Sequence, residues 1–166
     1  NIDQIKKLTN DIKTVFKDKK YPILIDQEGG SVNRLNKLID ASLFSAKFFG
    51  DLYKHNKKKF ADYYTVYISQ ISYLLNELGI NINTVPVLDI RRAKSSKVIN
   101  DRSFSTISNN VSHIGDFNIN EFSKRKIGTV IKHIPGHGLA KVDSHKKTPI
   151  IKKNKKYLYK YDFFVF

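Results

Sequence analysis

Ile127-Gly-Thr-Val-Ile-Lys-His133, running directly into Ile134-Pro-Gly-His-Gly138, is the stretch that decides the fold. An apolar run of this length, stopped by proline and glycine, reads as a strand buried on both faces. It ends in two ionisable residues, Lys132 and His133, and the turn behind it carries a third, His137. Working outward, two earlier runs have the same shape. Tyr21-Pro-Ile-Leu-Ile-Asp26 ends in an acid before the Gly29-Gly30 pair, and Ile80 to Val87 is followed closely by Asp89. Between them lie helical patterns. Ile5, Leu8, Ile12 and Val15/Phe16 predict a helix over 2–18. Tyr64, Tyr67/Ile68, Ile71, Leu74/Leu75 and Leu78 predict a second over 57–78, with Gly79 as its C-terminal cap. The stretch 107–126 is a weaker helix, and the tail 151–166 is basic, then aromatic, and starts another.

Helix, strand, helix, strand, helix, strand is the rhythm of a parallel α/β fold. In such folds the loops after the strands gather at one end, and ligands bind there. All three strands deliver polar, chemically capable residues to that end. This places a site without naming its chemistry.

Composition narrows the class. At 166 residues and 40% hydrophobic, the chain can bury a core. No apolar run reaches the roughly 18 residues of a membrane span, and the first residues lack the apolar stretch of a signal peptide. With no cysteine, disulfides and thiolate metal sites are excluded, which fits a cytoplasmic protein. There is no methionine, so the chain reads as an internal piece of a longer protein. The net charge of +15 would ordinarily suggest nucleic acid. Here the lysines are scattered or lie in short solvated runs such as Lys57 to Lys59, so the charge reads as compositional and no nucleic-acid partner is expected.

The densest chemistry is the segment Lys132 to His145, which holds three of the five histidines together with Asp143. Three readings fit the residue types. His145 can be a general acid/base oriented by Asp143. His133, His137, His145 and Asp143 can ligate zinc or iron. Or the histidines satisfy loop backbone groups. Elsewhere, Asp26 can accept sugar or ribose hydroxyls, and Arg34 can hold an acyl oxygen or carboxylate; the same segment also reads as a turn with a surface ion pair. Glu28, beside two glycines, reads as a turn-stabilising acceptor. Asn100-Asp101-Arg102-Ser-Phe104 is a binding loop or an ordinary polar one.

In order, Asp26-Gln-Glu-Gly-Gly30, Pro86-Val-Leu-Asp-Ile90, Asp101-Arg-Ser-Phe104 and Lys132-His-Ile-Pro-Gly-His-Gly138 with Asp143-Ser-His145 resemble the successive motifs of the glycoside hydrolase family 3 β-N-acetylglucosaminidases. The resemblance spans nearly the whole chain, and its last motif is the most specific. It implies a partial (β/α)₈ TIM barrel: one incomplete domain over 1–166, with a strand before Asn1 and others after Phe166. It implies that Asp26, Arg34, Arg102, Lys132 and His133 contact the N-acetylglucosamine ring. His145 is then the acid/base and Asp143 its partner, an unusual arrangement since most glycosidases use two carboxylates. The nucleophile is an aspartate on a later strand, and no position here matches it, so 1–166 alone is expected to be inactive. The implied substrate is a muropeptide fragment handled in cytoplasmic peptidoglycan recycling, by a monomer without cofactor or metal and with no nucleic-acid or membrane partner. A non-enzymatic basic binder of sugar or nucleic acid is the alternative. Two departures stand out. Ser31 replaces a frequent arginine and is expected to remove a rim contact. Asn100 replaces a usual glycine, a change that asparagine's tolerance of positive φ makes mild.

Overall fold

A computed structural model describes residues 1–93, 98–143 and 146–166. Helix α1 (Ile2–Val15) begins where the Asn1 side chain accepts the Gln4 N–H, a conventional N-cap. Only part of its expected apolar face is covered. Ile5 packs on the core, while Leu8, Val15 and Phe16 stay exposed. Polar contacts hold the helix instead: Thr9 Oγ1 donates to the Leu78 carbonyl (2.8 Å) and Lys13 Nζ to that of Gly79 (2.7 Å).

After the first strand, β1 (Leu24–Ile25), comes a short antiparallel hairpin, β2 (Gln27–Gly29) with β3 (Val32–Asn33), whose register shifts between Gln27 and Gly29. Then follow α2 (Ala46–His55) and α3 (Lys57–Glu77), capped by the Ser45 and Asn56 side chains. The sequence reading assigns no element to α2. Its Gly50 is required, because a Cβ there would lie 1.7 Å from the Phe104 carbonyl oxygen. Helix α3 fulfils its periodicity: Phe60, Tyr64, Ile68, Ile71 and Leu75 are buried in one stripe. Gly79 ends it as expected, at φ +71°, with Gly79 N bonded to Asn76 O and Ile80 N to Leu75 O, a Schellman motif.

Strands β4 (Ile82–Asn83) and β5 (Gly128–Thr129) complete a parallel sheet in the order β1-β4-β5. Helix α4 (Ser108–Lys124) precedes β5, and α5 (Lys155–Tyr161) lies in the tail. The parallel α/β expectation holds. The strands are shorter than expected: past Asn83 the Val85 N–H turns back to the Asn83 carbonyl (2.8 Å), and Pro86 beside it has no N–H to donate. The Asn83 side chain takes over there, accepting from Gln27 N (3.0 Å) and donating to Gln27 O (2.9 Å). Pairing resumes at a parallel bridge between Val87 and Lys132. Behind the sheet, Phe49, Phe60 and Tyr64 are buried together in tilted ring contacts, with Phe104 edge-on to Tyr64. Among the described residues no helix is long and apolar enough to cross a membrane.

Candidate active site

Each strand stops at the same end of the sheet, so the residues just beyond each strand meet. Asp26 follows β1, Glu28 sits in the hairpin behind it, Thr84 and Asp89 follow β4, and Lys132 and His133 follow β5. Arg102 arrives on the short 3₁₀ turn Asn100–Arg102. Together with Arg34 and His137, all of these except the buried Asp89 line a cleft of about 560 Å³.

Glu28 is the hub. Its side chain is 5% exposed and accepts two bonds from Arg102, Nε to Oε2 at 2.8 Å and Nη2 to Oε1 at 2.9 Å. Lys132 Nζ lies 2.5 Å from the same carboxylate and 2.6 Å from Asp26 Oδ1. A bidentate arginine–carboxylate pair constrains orientation as well as distance, so one buried acid aligns two cations that face the cleft. Thr84 Oγ1 donates to Asp26. Burial by itself raises the Asp26 carboxyl, but the hydrogen bonds from Lys132 and Thr84, and the charges of Lys132 and Arg34, outweigh it and hold the group below the usual carboxylate range. Burial likewise pulls Arg102 down, and its bonds and attraction to Glu28, with Asp89 and Asp26 farther off, more than restore it.

Asp89 is the second buried acid. Its oxygens accept from the His133 ring at Nδ1 (2.5 Å) and from the His137 backbone N–H. The other His133 nitrogen, Nε2, lies 3.4 Å from Arg102 Nη2. Carboxylates and cations thus alternate from Asp26 through Lys132 and Glu28 to Arg102, beyond which the His133 ring lies between Arg102 and Asp89.

Of the residues singled out from sequence, Asp26, Arg102, Lys132 and His133 come together. Arg34 lines the same cleft but is exposed. Asp143 is half-buried on the following loop, where its carbonyl accepts from the Lys146 and Lys147 N–H groups at 3.0 Å each. His145 lies outside the described residues, as does Ser144. Glu28 corrects its sequence reading: it is an ion-pair anchor for two cations, because burial beside Arg102 and Lys132 gives it far stronger partners than a turn N–H. The sequence reading gives Thr84 no role, marks Asp89 by its position just past a strand, and offers His137 as a metal ligand; here His137 lines the cleft and its backbone N–H binds Asp89. Ser31 sits in the turn of the hairpin, between β2 and β3. It makes a contact of its own, donating from Oγ to Asp101 Oδ1 (2.7 Å) and from its N–H to Oδ2 (3.0 Å), which ties the hairpin to the Arg102 turn. Asn100 adopts φ +23°, in keeping with a glycine-like position. Among the described residues no group of three or more metal-ligating side chains gathers.

Residues 1–166 match the model of the glycosyl hydrolase family 3 N terminal domain. Beta-hexosaminidase A of Pseudoalteromonas piscicida is 36% identical over 153 residues, covering 90% of this chain and 25% of that protein. Beta-hexosaminidase LpqI of Mycobacterium tuberculosis is 30% identical over 130 residues, covering 74% and 30%. Among solved structures, native NagZ from Neisseria gonorrhoeae superposes with a TM-score of 0.82 at 26% identity, over 99% of this chain and 48% of that one. The chain therefore spans between a quarter and a half of the length of these relatives.

Proposed function

The chain belongs to glycosyl hydrolase family 3, and from that premise we propose that its parent protein is a retaining β-N-acetylglucosaminidase. Its substrate would be terminal β-linked N-acetylglucosamine on peptidoglycan fragments. The observation that supports this best is the convergence of Asp26, Lys132 and His133 from separate strand ends, and of Arg102 from its 3₁₀ turn, onto one cleft, each already held by a partner. Sugar recognition needs such a surface: fixed donors and acceptors that do not reorganise when hydroxyls arrive. Asp26, kept ionised, accepts from ring hydroxyls. Lys132 and Arg102 donate, and Arg34 adds a cation at the exposed side.

Proton transfer falls to His145, with Asp143 supporting its ring. The imidazole gives its proton to the leaving oxygen, and then takes one from the water that releases the sugar. The nucleophilic aspartate comes from sequence outside 1–166, on a later strand of the (β/α)₈ barrel to which these three parallel strands belong. Residues 1–166 alone then grip a sugar but do not turn it over. The relatives named beta-hexosaminidase support the reaction class; a cytoplasmic recycling role, as a monomer without cofactor, is the narrower form of the same reading.

The test uses the full-length protein with aryl glycosides. Release from N-acetyl-β-glucosaminides in preference to β-glucosides is expected. His145→Ala should slow poorly activated leaving groups by about 10²–10⁴-fold, the worth of general acid catalysis, and activated ones much less. Equal hydrolysis of poorly activated glycosides by wild type and His145→Ala would refute the assignment.

A further inference from the structure

Asp89 is the most buried acid at the site, with no exposed side-chain surface, and neither the family match nor the proposed reaction gives it a task. It makes two bonds of different kinds. Oδ1 accepts the His137 backbone N–H, and Oδ2 lies 2.5 Å from His133 Nδ1. On the far side of the imidazole stands Arg102, whose Nη2 is 3.4 Å from Nε2. A guanidinium has only donors, and a carboxylate has only acceptors. The two neighbours therefore select one form of the ring.

We propose that Asp89 is a positioning residue that locks His133 as the neutral Nδ1–H tautomer, so that Nε2 faces Arg102 and the cleft as a hydrogen-bond acceptor. This rests on the sugar-binding reading and deepens it. Lys132 and Arg102 meet the substrate as donors, and His133 meets a hydroxyl as an acceptor. A carboxylate is needed at position 89 because both of its contacts are N–H donors. Asparagine has one oxygen to offer. If that oxygen keeps the His137 N–H, the amide NH₂ faces His133 Nδ1, and the proton is driven to Nε2, against the Arg102 donors. If it turns to His133, the backbone of the Pro135–Gly138 turn loses its anchor.

The experiment is ¹⁵N-histidine labelling of the full-length protein, with the ring signals of His133 assigned by their loss in His133→Gln. Wild type is expected to show a protonated Nδ1 and a bare Nε2. Asp89→Asn is expected to move His133 toward the Nε2–H form and to lower kcat/KM by about 10–100-fold, the usual loss when a partner behind a functional histidine is removed. A residue that merely braced the turn would leave the tautomer unchanged. An Nε2–H form in wild type, an unchanged tautomer in Asp89→Asn, or a kcat/KM within about twofold of wild type would overturn the proposal. Should Asp89→Asn fail to fold, the wild-type spectrum alone decides. Absence of hydrolysis by wild type would instead sink the glycosidase reading and leave the tautomer result standing.

Discussion

Two layers meet at the strand ends, and opposite physics holds them. Behind the sheet lies a bed of rings: Phe49 against Tyr64 at 4.2 Å between centroids, Phe60 against Tyr64 at 5.3 Å and against Phe117 at 5.2 Å. At the cleft lies a lattice of charges, with Glu28 and Asp89 almost fully buried beneath Arg102, Lys132 and His133. The first layer is stabilising through area and packing, non-directional and tolerant of small adjustments. The second is costly to build, since each charge must leave water, and replacing such a network by apolar residues often leaves stability unchanged or improved. A fold does not need it. Under the proposed function its place at the end of the sheet where ligands bind gives it the task of recognition, with the rings packed below it.

Removing one member from each layer should separate these roles. Phe49→Ala and Glu28→Ala are both expected to cost about 3–5 kcal/mol in urea unfolding, the first through a cavity and the second through two cations left without their buried anion. They should differ in function. Phe49→Ala should keep substrate affinity at temperatures where it remains folded, whereas Glu28→Ala should lose it even then, because Arg102 and Lys132 are no longer aimed. Equal losses of affinity would erase the distinction between the layers.

Smaller effects follow from single polar groups. Tyr64→Phe leaves the Asn118 amide, which donates to the Tyr64 hydroxyl at 2.6 Å, without its acceptor, for about 1–3 kcal/mol. The layers should also fail at opposite ends of the pH scale. Burial raises the Tyr64 and Tyr67 hydroxyls above their ordinary 10.0. The folded state therefore holds those protons more tightly than the unfolded chain. Their contribution is complete below about pH 10 and is lost as pH rises beyond it. Asp26 runs the other way. Its lowered carboxyl contributes above its ordinary 3.8, and the contribution fades as pH falls below that value; since its side chain is 45% exposed, the loss should be slight. Denaturant midpoints measured against pH would check both limbs. Smallest of all, Ser31→Ala removes an exposed bond to Asp101 and should change stability by about 0.5 kcal/mol.

The same division explains what the sequence could disclose. Of the ring layer, Tyr64 was legible because its pattern is local: it recurs with Ile68, Ile71 and Leu75 at helical spacing in the buried stripe of α3, with Gly79 closing it, whereas Phe49, Phe60 and Phe117 carry no such signal in the reading. Helix α2 escaped because it is 10 residues long, and Gly50 in its middle reads as a break unless the Phe104 backbone pressing on it is known. The hairpin after β1 escaped because two glycines and a shifted register leave no alternation to detect. In the charged layer, strand ends marked where the site lies, and Asp26, Lys132 and His133 stood out by position. Partners did not. Glu28 meets Arg102 across 74 residues and Asp89 meets His133 across 44, and no local spacing encodes an ion pair at such a distance.

The most direct test of the central claim, that this charged lattice holds the sugar, is the kcat/KM of Lys132→Met in the full-length protein on an aryl N-acetyl-β-glucosaminide. Methionine keeps the length of the stem and removes the charge that joins Asp26 to Glu28. The expected result is a loss of about 100-fold or more, corresponding to about 2.7 kcal/mol of transition-state binding, in a protein that still unfolds cooperatively. A folded Lys132→Met variant with kcat/KM within about twofold of wild type would contradict it.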